Sequence, residues 1–185
     1  MIGKEAFIIA GGPSVTVKHI ELALDWAKKS EDRAIFAVNK SVFEIPQADY
    51  GFSRDTTFIT EYFEKLEKWP GQFIVGNGCI TPPWAKRIDT QAYISGAACI
   101  EAATRLGYVT IYLLGADGHI NGGNHWHADY RNLANVPNWE KFDGYYAAAI
   151  QNCAGIEVYN CSPGTAITSV PTREFEEVCP QPVDS

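Results

Sequence analysis

Short apolar runs alternate along the chain with longer segments whose apolar residues recur at helical spacing. The runs cover residues 7–10, 34–38, 50–52, 72–75, 109–115 and 156–160. They are brief and uninterrupted, which is typical of strands that are buried on both faces of a parallel sheet. The pattern therefore predicts a strand at each of these runs.

Helical periodicity fills the segments between these strands. One predicted helix follows Thr16, with apolar residues at positions 17, 20, 24 and 27, and a second covers 56–68. A third begins at Ser95 as its N-cap and stops at Gly107. Further helices are predicted near 139–153 and over 172–178. The alternation predicts an α/β fold in which a mainly parallel sheet lies between two layers of helices.

Glycine and small polar residues follow the first predicted strand. Right-handed crossovers bring the carboxyl ends of parallel strands to one edge, where ligands bind at a switch in strand order. The first strand ends in Gly11, Gly12, Pro13 and Ser14. Two glycines let a ligand approach the backbone closely, and Ser14 can cap the next helix or contact a phosphate. The alternative is a tight turn without a ligand, because this is neither a Walker motif nor G-x-G-x-x-G.

Other strand ends carry candidate ligand-binding residues. Asn39 follows the second strand, Asp55 the third and Asp117 the fifth. Ser95 and Gly96 open a helix whose free N–H groups and positive dipole end suit a phosphate or carboxylate, although such a serine can also act only as a cap. Asp55 can bind a ribose hydroxyl or a metal, and capping of the helix that follows it is the favoured interpretation.

A long polar and aromatic segment, about 116–137, follows the fifth strand. Its histidines and carboxylates are His119, His125, His127, Asp117 and Asp129. They offer the ligand types of a Zn²⁺ or Mn²⁺ site, but His125 and His127 are only two residues apart and chelate together in few geometries, so we assign no metal ligand. A general acid or base at His127 or His125 is favoured. Trp126 and several glycines suit a lid that closes over a ligand, and a plain surface loop is the remaining alternative.

The overall composition and charge limit the classes of partner that the protein is expected to bind. The chain has 185 residues, of which 46% are hydrophobic and 20% charged, as expected of one globular domain over 1–185. A net charge of -7 argues against binding of nucleic acid or of anionic membranes. The first residues lack the pattern of a signal peptide, so none is expected, and no apolar stretch reaches about 18 residues. Five scattered cysteines without a CxxC pair predict reduced thiols in a cytoplasmic protein.

Taken in order, "IAGGPS", "FAVNKSVF", "SGAACIEAATRLGYVTIYLLGAD" and "YNCSPGTAI" resemble the Rossmann-like bacterial sialyltransferases that use CMP-sialic acid. They are also similar to the related group that contains the archaeal hydroxymethylpterin pyrophosphokinase. The resemblance implies a Rossmann-like three-layer sandwich with a mainly parallel sheet. It implies that "GGPS" holds a nucleotide, that Asn39 contacts the donor, and that Ser95 and Gly96 lie beside the nucleotide. It also implies that the "GAD" segment lines the cleft and that lid aromatic residues reach the donor phosphate.

Several positions depart from the sialyltransferase pattern. Gly11 replaces the asparagine of "NGPS", and Ala92 stands where an arginine shortly precedes the serine–glycine pair. Ser53 lies near the position of a further asparagine, and the lid tyrosine falls near Trp126. Sialyltransferases carry a histidine that acts as the base farther along the lid. This chain has no histidine at that position, and only the two histidines flanking Trp126 are nearby.

The expected function is therefore binding of a nucleotide or nucleotide-sugar, with sialyltransferase-like glycosyl transfer as the favoured activity. "GGPS" and the serine–glycine helix end would hold phosphate through backbone N–H groups, and His127 or His125 would deprotonate an acceptor hydroxyl. One alternative is a pyrophosphokinase-like enzyme that uses ATP and Mg²⁺, with Asp117, Asp55 or Asp129 at the metal. Another is a non-catalytic nucleotide-binding protein. No cofactor other than this Mg²⁺ is expected, and the sequence does not indicate an oligomeric state.

Overall fold

The computed structural model describes residues 3–118 and 141–181. The strands in this part of the chain are β1 (Lys4–Ile9), β2 (Arg33–Val38), β3 (Tyr50–Ser53), β4 (Gln72–Val75), β5 (Lys86–Arg87), β6 (Tyr108–Leu114) and β7 (Glu157–Asn160). They form one sheet in the order β5-β4-β3-β2-β1-β6-β7, and every neighbouring pair is parallel. The predicted α/β class and parallel sheet are confirmed.

Helices cover both faces of this sheet. Those in the described residues are α1 (Val17–Ala27), α2 (Ser41–Glu44), α3 (Thr56–Glu61), α4 (Phe63–Glu67), α5 (Ser95–Arg105), α6 (Phe142–Gln151) and α7 (Phe175–Val178). Side chains alternate across the sheet, so Ile8 of β1 packs in the core beneath α5 and α6, whereas Phe7 packs beneath α1 and α7. Both side chains are almost fully buried. The central strand therefore contributes to the two hydrophobic cores at once.

The strand order contains one switch point, between β1 and β6. From β1 the chain moves outward through β2, β3 and β4 to β5, and then returns to the opposite side of β1 to form β6 and β7. The crossovers on the two sides of β1 run in opposite directions, which leaves a crevice at the carboxyl ends of β1 and β6. The turn "GGPS" and the segment "GAD" lie at these two ends.

Several element boundaries differ from the sequence predictions; among them, α7 covers only Phe175–Val178 of the predicted 172–178, and the short helix α2 was not predicted. The helix predicted over 56–68 divides into α3 and α4 at Tyr62, which leaves helical geometry with φ −109° and ψ 19° while its ring packs 5.2 Å from those of Phe43 and Phe58. Ser95 is the first residue of α5 and not its N-cap, a position held by Ile94. The strand β5 was not predicted because two residues are too few to show a pattern.

No helix in the described part of the chain is long and apolar enough to cross a membrane. The five cysteines all lie in that part, and none forms a disulfide. Burial raises the pKa of the Cys161 and Cys179 thiols to about 12. At neutral pH these thiols are therefore protonated, apolar members of the core.

Candidate functional site

The turns after β1 and β6 are joined to each other at the switch point. The backbone N–H of Ala10 donates to the carbonyl of Leu114 at 2.8 Å, which continues the ladder past the end of β1. The N–H of Gly12 then donates to the carbonyl of Gly115 at 3.0 Å. The two turns consequently form one rigid wall of the crevice.

Asp117 fixes the conformation of the "GGPS" turn. Its carboxylate accepts from the Ser14 backbone N–H at 2.8 Å and from the Ser14 hydroxyl at 2.5 Å. Only 2% of Asp117 is exposed, so these charge-assisted hydrogen bonds lie away from bulk water. A Cβ atom on Gly12 would lie 2.4 Å from the Gly115 carbonyl oxygen and 2.6 Å from Oδ2 of Asp117, and these two contacts are the reason that the second position of the motif must be glycine.

These hydrogen bonds determine which backbone groups of the "GGPS" turn remain available to a ligand. The N–H groups of Gly12 and Ser14 already donate within the protein, and Pro13 has no N–H. The expectation that this turn binds phosphate through backbone N–H groups stays a prediction, and at Gly12 and Ser14 it would require donors that already have a partner in the protein. The turn therefore places the Asp117 carboxylate beside the crevice, and a carboxylate accepts from hydroxyl groups but repels phosphate.

The loop after β7 holds Asp117 in place from the other side. The buried side chain of Asn160 donates from Nδ2 to the carbonyl of Ala116 at 2.9 Å, and the hydroxyl of Ser162 accepts from the Ala116 N–H at 2.9 Å. The N–H of Ala166 donates to the Asp117 carbonyl at 2.7 Å. This explains the polar "NCSPGT" segment, which orders the neighbouring "GAD" segment.

The ends of β2 and β3 are joined through Asn39 and Ser53. Asn39 has a left-handed backbone with φ 52°, which asparagine tolerates better than most residues, and its N–H donates to the Phe52 carbonyl at 2.9 Å. The Ser53 hydroxyl donates to Oδ1 of Asn39 at 2.7 Å, which fixes the orientation of the amide. Asp55 is the N-cap of α3, since it accepts from the Phe58 N–H at 3.2 Å, so the capping interpretation is confirmed.

The first turn of α5 forms the opposite side of the candidate site. The N-cap Ile94 has no side chain that could cap the helix, and helix geometry leaves the first N–H groups, those of Ser95, Gly96 and Ala97, without an intrahelical partner. The Ser95 hydroxyl does not cap them, because it accepts from the backbone N–H of Arg54 at 3.2 Å. These N–H groups and the positive end of the helix dipole suit an anion.

Arg54 is a polar residue of the site that the sequence analysis did not single out. Its guanidinium donates to the carbonyl of Ala92 and, at 3.4 Å, to that of Asn77, and it lies 5.7 Å from the ring centre of Tyr93. Among the described residues no carboxylate lies within ion-pair distance of it. The only sequence signal was its place in "FSRD", directly after β3.

Tyr146 of α6 connects the two sides of the crevice and was also missed. Its ring is buried, and a Cβ atom on Gly96 would lie 2.5 Å from its hydroxyl oxygen. Burial raises the pKa of Tyr146, and the nearby Cys99 and Asp117 raise it further. The hydroxyl is therefore a neutral group placed between the start of α5 and the buried carboxylate.

The structure describes nine of the twelve predicted site residues. The nine are Gly11, Gly12, Pro13, Ser14, Asn39, Asp55, Ser95, Gly96 and Asp117. It brings Ser14, Gly12 and Asp117 into direct contact, and links Asn39 to Asp55 through Ser53. His125, Trp126 and His127 lie outside the described residues, as do Asp129 and most of the predicted lid.

Metal binding at the described carboxylates has little structural support. No group of three histidine, cysteine, aspartate or glutamate side chains in the described ranges is arranged to hold a metal ion. Asp117 accepts two hydrogen bonds from Ser14, and Asp55 caps α3. The Mg²⁺-dependent alternative therefore remains a prediction from sequence.

Comparison with known proteins identifies the fold. No protein-family model matches the chain, and no curated protein matches it in sequence. Its structure is similar to that of the sialyltransferase CstII from Campylobacter jejuni, solved in complex with the substrate analogue CMP-3FNeuAc. The TM-score is 0.58, the match covers 97% of this chain and 89% of that chain, and 13% of the residues are identical. The chain thus has a Rossmann-like α/β fold similar to the fold of that structure.

Proposed function

We propose that the protein binds a nucleotide or nucleotide-sugar in the crevice between β1 and β6 and acts as a glycosyltransferase-like group transferase. The observation that supports this best is the pairing of two chemically different walls at the switch point. One wall is the Ser14–Asp117 pair, and the other is the uncapped first turn of α5 with Arg54 beside it. A nucleotide-sugar combines hydroxyl groups with phosphate and can match both walls.

The charges favour one orientation of such a ligand. The start of α5 and the Arg54 guanidinium are positive, so the phosphate lies there. The buried carboxylate of Asp117 repels phosphate, so ligand hydroxyl groups lie on the side of the "GGPS" turn. The fold likeness to a sialyltransferase bound to a CMP-sugar analogue supports the same class of ligand.

Group transfer would proceed by displacement at the sugar. An acceptor hydroxyl loses its proton to His127 or His125, and its oxygen forms a bond to the anomeric carbon. The bond from that carbon to the phosphate oxygen breaks, and the nucleotide leaves with the electron pair. The positive end of α5 and Arg54 stabilise the charge that develops on the leaving phosphate.

Isothermal titration calorimetry tests the binding claim. The protein is titrated with CMP, with CDP-, UDP- and GDP-sugars, and with ATP, each with and without Mg²⁺. We expect binding of at least one nucleotide or nucleotide-sugar without a requirement for metal. Absence of heat with every compound would refute the proposed function, and ATP binding only with Mg²⁺ would favour the pyrophosphokinase-like alternative.

A second measurement separates an enzyme from a binding protein. Hydrolysis of the bound nucleotide-sugar is followed for the wild type and for His127→Ala and His125→Ala. A general base contributes about 100- to 10,000-fold to such a reaction, so one variant should lose at least that part of the turnover. Nucleotide binding without hydrolysis, unchanged in both variants, would support a non-catalytic binding protein.

A further inference from the structure

Glu101 is a buried carboxylate of α5 to which the proposed reaction assigns no role. It is only 1% exposed. Its carboxylate accepts from the backbone N–H groups of Gln91 and Ala92, the latter at 3.2 Å, and from Nδ2 of Asn152, the C-cap of α6, at 2.8 Å. No cation in the described residues pairs with it. Burial of a carboxylate among neutral donors alone costs stability.

Ala92 links this carboxylate to Arg54. The N–H of Ala92 donates to Glu101, and its carbonyl accepts from the Arg54 guanidinium. The bond to Glu101 fixes Ala92 against the core. The fixed carbonyl of Ala92 in turn determines the position of the Arg54 guanidinium. The Ser95 hydroxyl, which accepts from the Arg54 N–H at 3.2 Å, adds a second attachment on the same helix.

The charge of Arg54 has no anionic partner among the described residues. The backbone N–H of Arg54 donates to the Ser95 hydroxyl at the start of α5, and its guanidinium donates to the carbonyl of Ala92, which shortly precedes that helix. The positive end of the helix dipole disfavours cations nearby. Carbonyl oxygens of Ala92 and Asn77 are its hydrogen-bond acceptors in the described residues, and none of these carries a full negative charge. A ligand anion would remove this imbalance.

We propose that Arg54 binds the anionic group of the ligand and that Glu101 is a positioning residue that acts on Arg54 through Ala92. The ligand class is a phosphorylated small molecule. This inference rests on the proposed function and deepens it, because it names the side chain that distinguishes a nucleotide from its nucleoside. Glu101 itself does not touch the ligand; it fixes the carbonyl that orients the guanidinium.

The first test compares charged and uncharged probes. Affinities for CMP, cytidine and inorganic pyrophosphate are measured by calorimetry for the wild type and for Arg54→Ala. Loss of one charge-assisted contact should weaken CMP and pyrophosphate about 10- to 100-fold and leave cytidine within about twofold. Arg105→Ala removes the same charge from the exposed opposite end of α5 and should leave all three affinities unchanged.

The second test is a double-mutant cycle for the positioning role. Glu101→Gln should weaken CMP binding about fivefold when Arg54 is present and less than about twofold in the Arg54→Ala background. If Glu101 had only a structural role, Glu101→Gln would lower stability equally in both backgrounds, and its effect on CMP affinity would not depend on Arg54. Asn152→Ala removes an exposed donor to Glu101 and serves as a milder second variant, with an expected loss of about two- to threefold that also disappears without Arg54.

The outcomes separate the two proposals. If the wild type binds CMP or another nucleotide and Arg54→Ala binds it equally well, the role of Arg54 is wrong and the proposed function stands. If Arg54→Ala weakens binding but Glu101→Gln and Asn152→Ala act equally in both backgrounds, the positioning role of Glu101 is wrong. If the wild type binds no phosphorylated compound, both proposals fail.

Discussion

At the residue scale, Gly96 shows how closely the two sides of the crevice approach each other. A side chain at this position would meet the hydroxyl of Tyr146, whose pKa is raised chiefly by burial. The first turn of α5 and the helix α6 are thus in near contact at this glycine. The small residues Ala97 and Ala98 that follow are fully buried, so the start of α5 is packed on one face and open on the other.

The substitution Gly96→Ala should therefore destabilise the protein by about 1–3 kcal/mol, because the added methyl group lies 2.5 Å from the Tyr146 oxygen. Tyr146→Phe removes that oxygen, so the double variant should be less destabilised than the sum of the single variants. Urea unfolding of the four proteins measures this coupling. Strictly additive changes would mean that the contact does not limit the size of residue 96.

Sequence reasoning at this scale found residues but not their partners. Ser14 and Asp117 were each predicted at the sheet edge, yet they are 103 positions apart, and nothing in the sequence indicates that one bonds the other. Arg54 was missed because an arginine after a strand is common, and only the fold shows that it reaches Ala92. Ala92 stands where the sialyltransferase pattern has an arginine, so the sequence predicted no guanidinium at that position. In the structure the guanidinium of Arg54, which follows β3, donates to the Ala92 carbonyl.

At the element scale, the helix α1 begins with a capping box that uses histidine. The Thr16 hydroxyl accepts from the His19 N–H at 3.2 Å, and Nδ1 of His19 accepts from the Thr16 N–H at 3.3 Å. Such a reciprocal cap requires a neutral imidazole, since a protonated ring has no acceptor nitrogen. Burial lowers the pKa of His19, and Lys18 lowers it slightly, while Glu176 of α7 and the Ser14 backbone act in the opposite direction.

The start of α1 should consequently lose stability in acid. Because the pKa of His19 is lower in the folded protein than in the unfolded chain, the folded protein binds fewer protons at this site. The stabilisation is present above the unfolded pKa of about 6.5 and is lost as the pH falls through the folded value. His19→Gln keeps an acceptor for Thr16 and does not titrate.

Unfolding free energies of the wild type and His19→Gln, measured between about pH 7.5 and pH 5, test this assignment. The wild type should lose more stability than the variant over this range, because the carboxylates that titrate there are common to both proteins. Parallel profiles would show that His19 does not contribute to the pH dependence. Thr16→Ala, which removes the hydroxyl acceptor, should cost about 1 kcal/mol at the higher pH.

Helix boundaries were harder to predict than helix positions, and the physical reason is local competition for hydrogen bonds. Ser95 has the residue type of an N-cap, but its hydroxyl is used by the Arg54 N–H, and Ile94 takes the cap position. The four-residue helix α2 is a single turn and leaves no periodic pattern. Thr16, by contrast, precedes a clear apolar periodicity, and α1 begins directly after it.

At the scale of the whole molecule, the sheet edge could be predicted but the strand order could not. Uninterrupted apolar runs separated by helices indicate parallel strands whose carboxyl ends share one edge. The order depends on which way each crossover runs, and on the two-residue strand β5 that pairs with β4 through Ile74 and Val75. The switch between β1 and β6 therefore became known only from the structure.

The proposed ligand spans parts of the molecule that are far apart in sequence, and this leads to a prediction about exchange of backbone hydrogens. In the proposed complex it would contact the turns after β1 and β6 on one side and the start of α5 on the other. Saturating CMP should therefore slow exchange in residues 10–15, 93–97 and 115–118 together, because binding suppresses local opening of every segment that it touches.

Hydrogen–deuterium exchange read by mass spectrometry, with and without CMP, provides the measurement. Peptides from α4 and from α7, which the proposed ligand does not contact, serve as internal references that should not change. Cytidine, which lacks the phosphate, should protect 10–15 and 115–118 more than 93–97, since the phosphate lies at the start of α5. Protection limited to a single segment, or equal protection of the reference peptides, would contradict a ligand that bridges the two walls of the crevice.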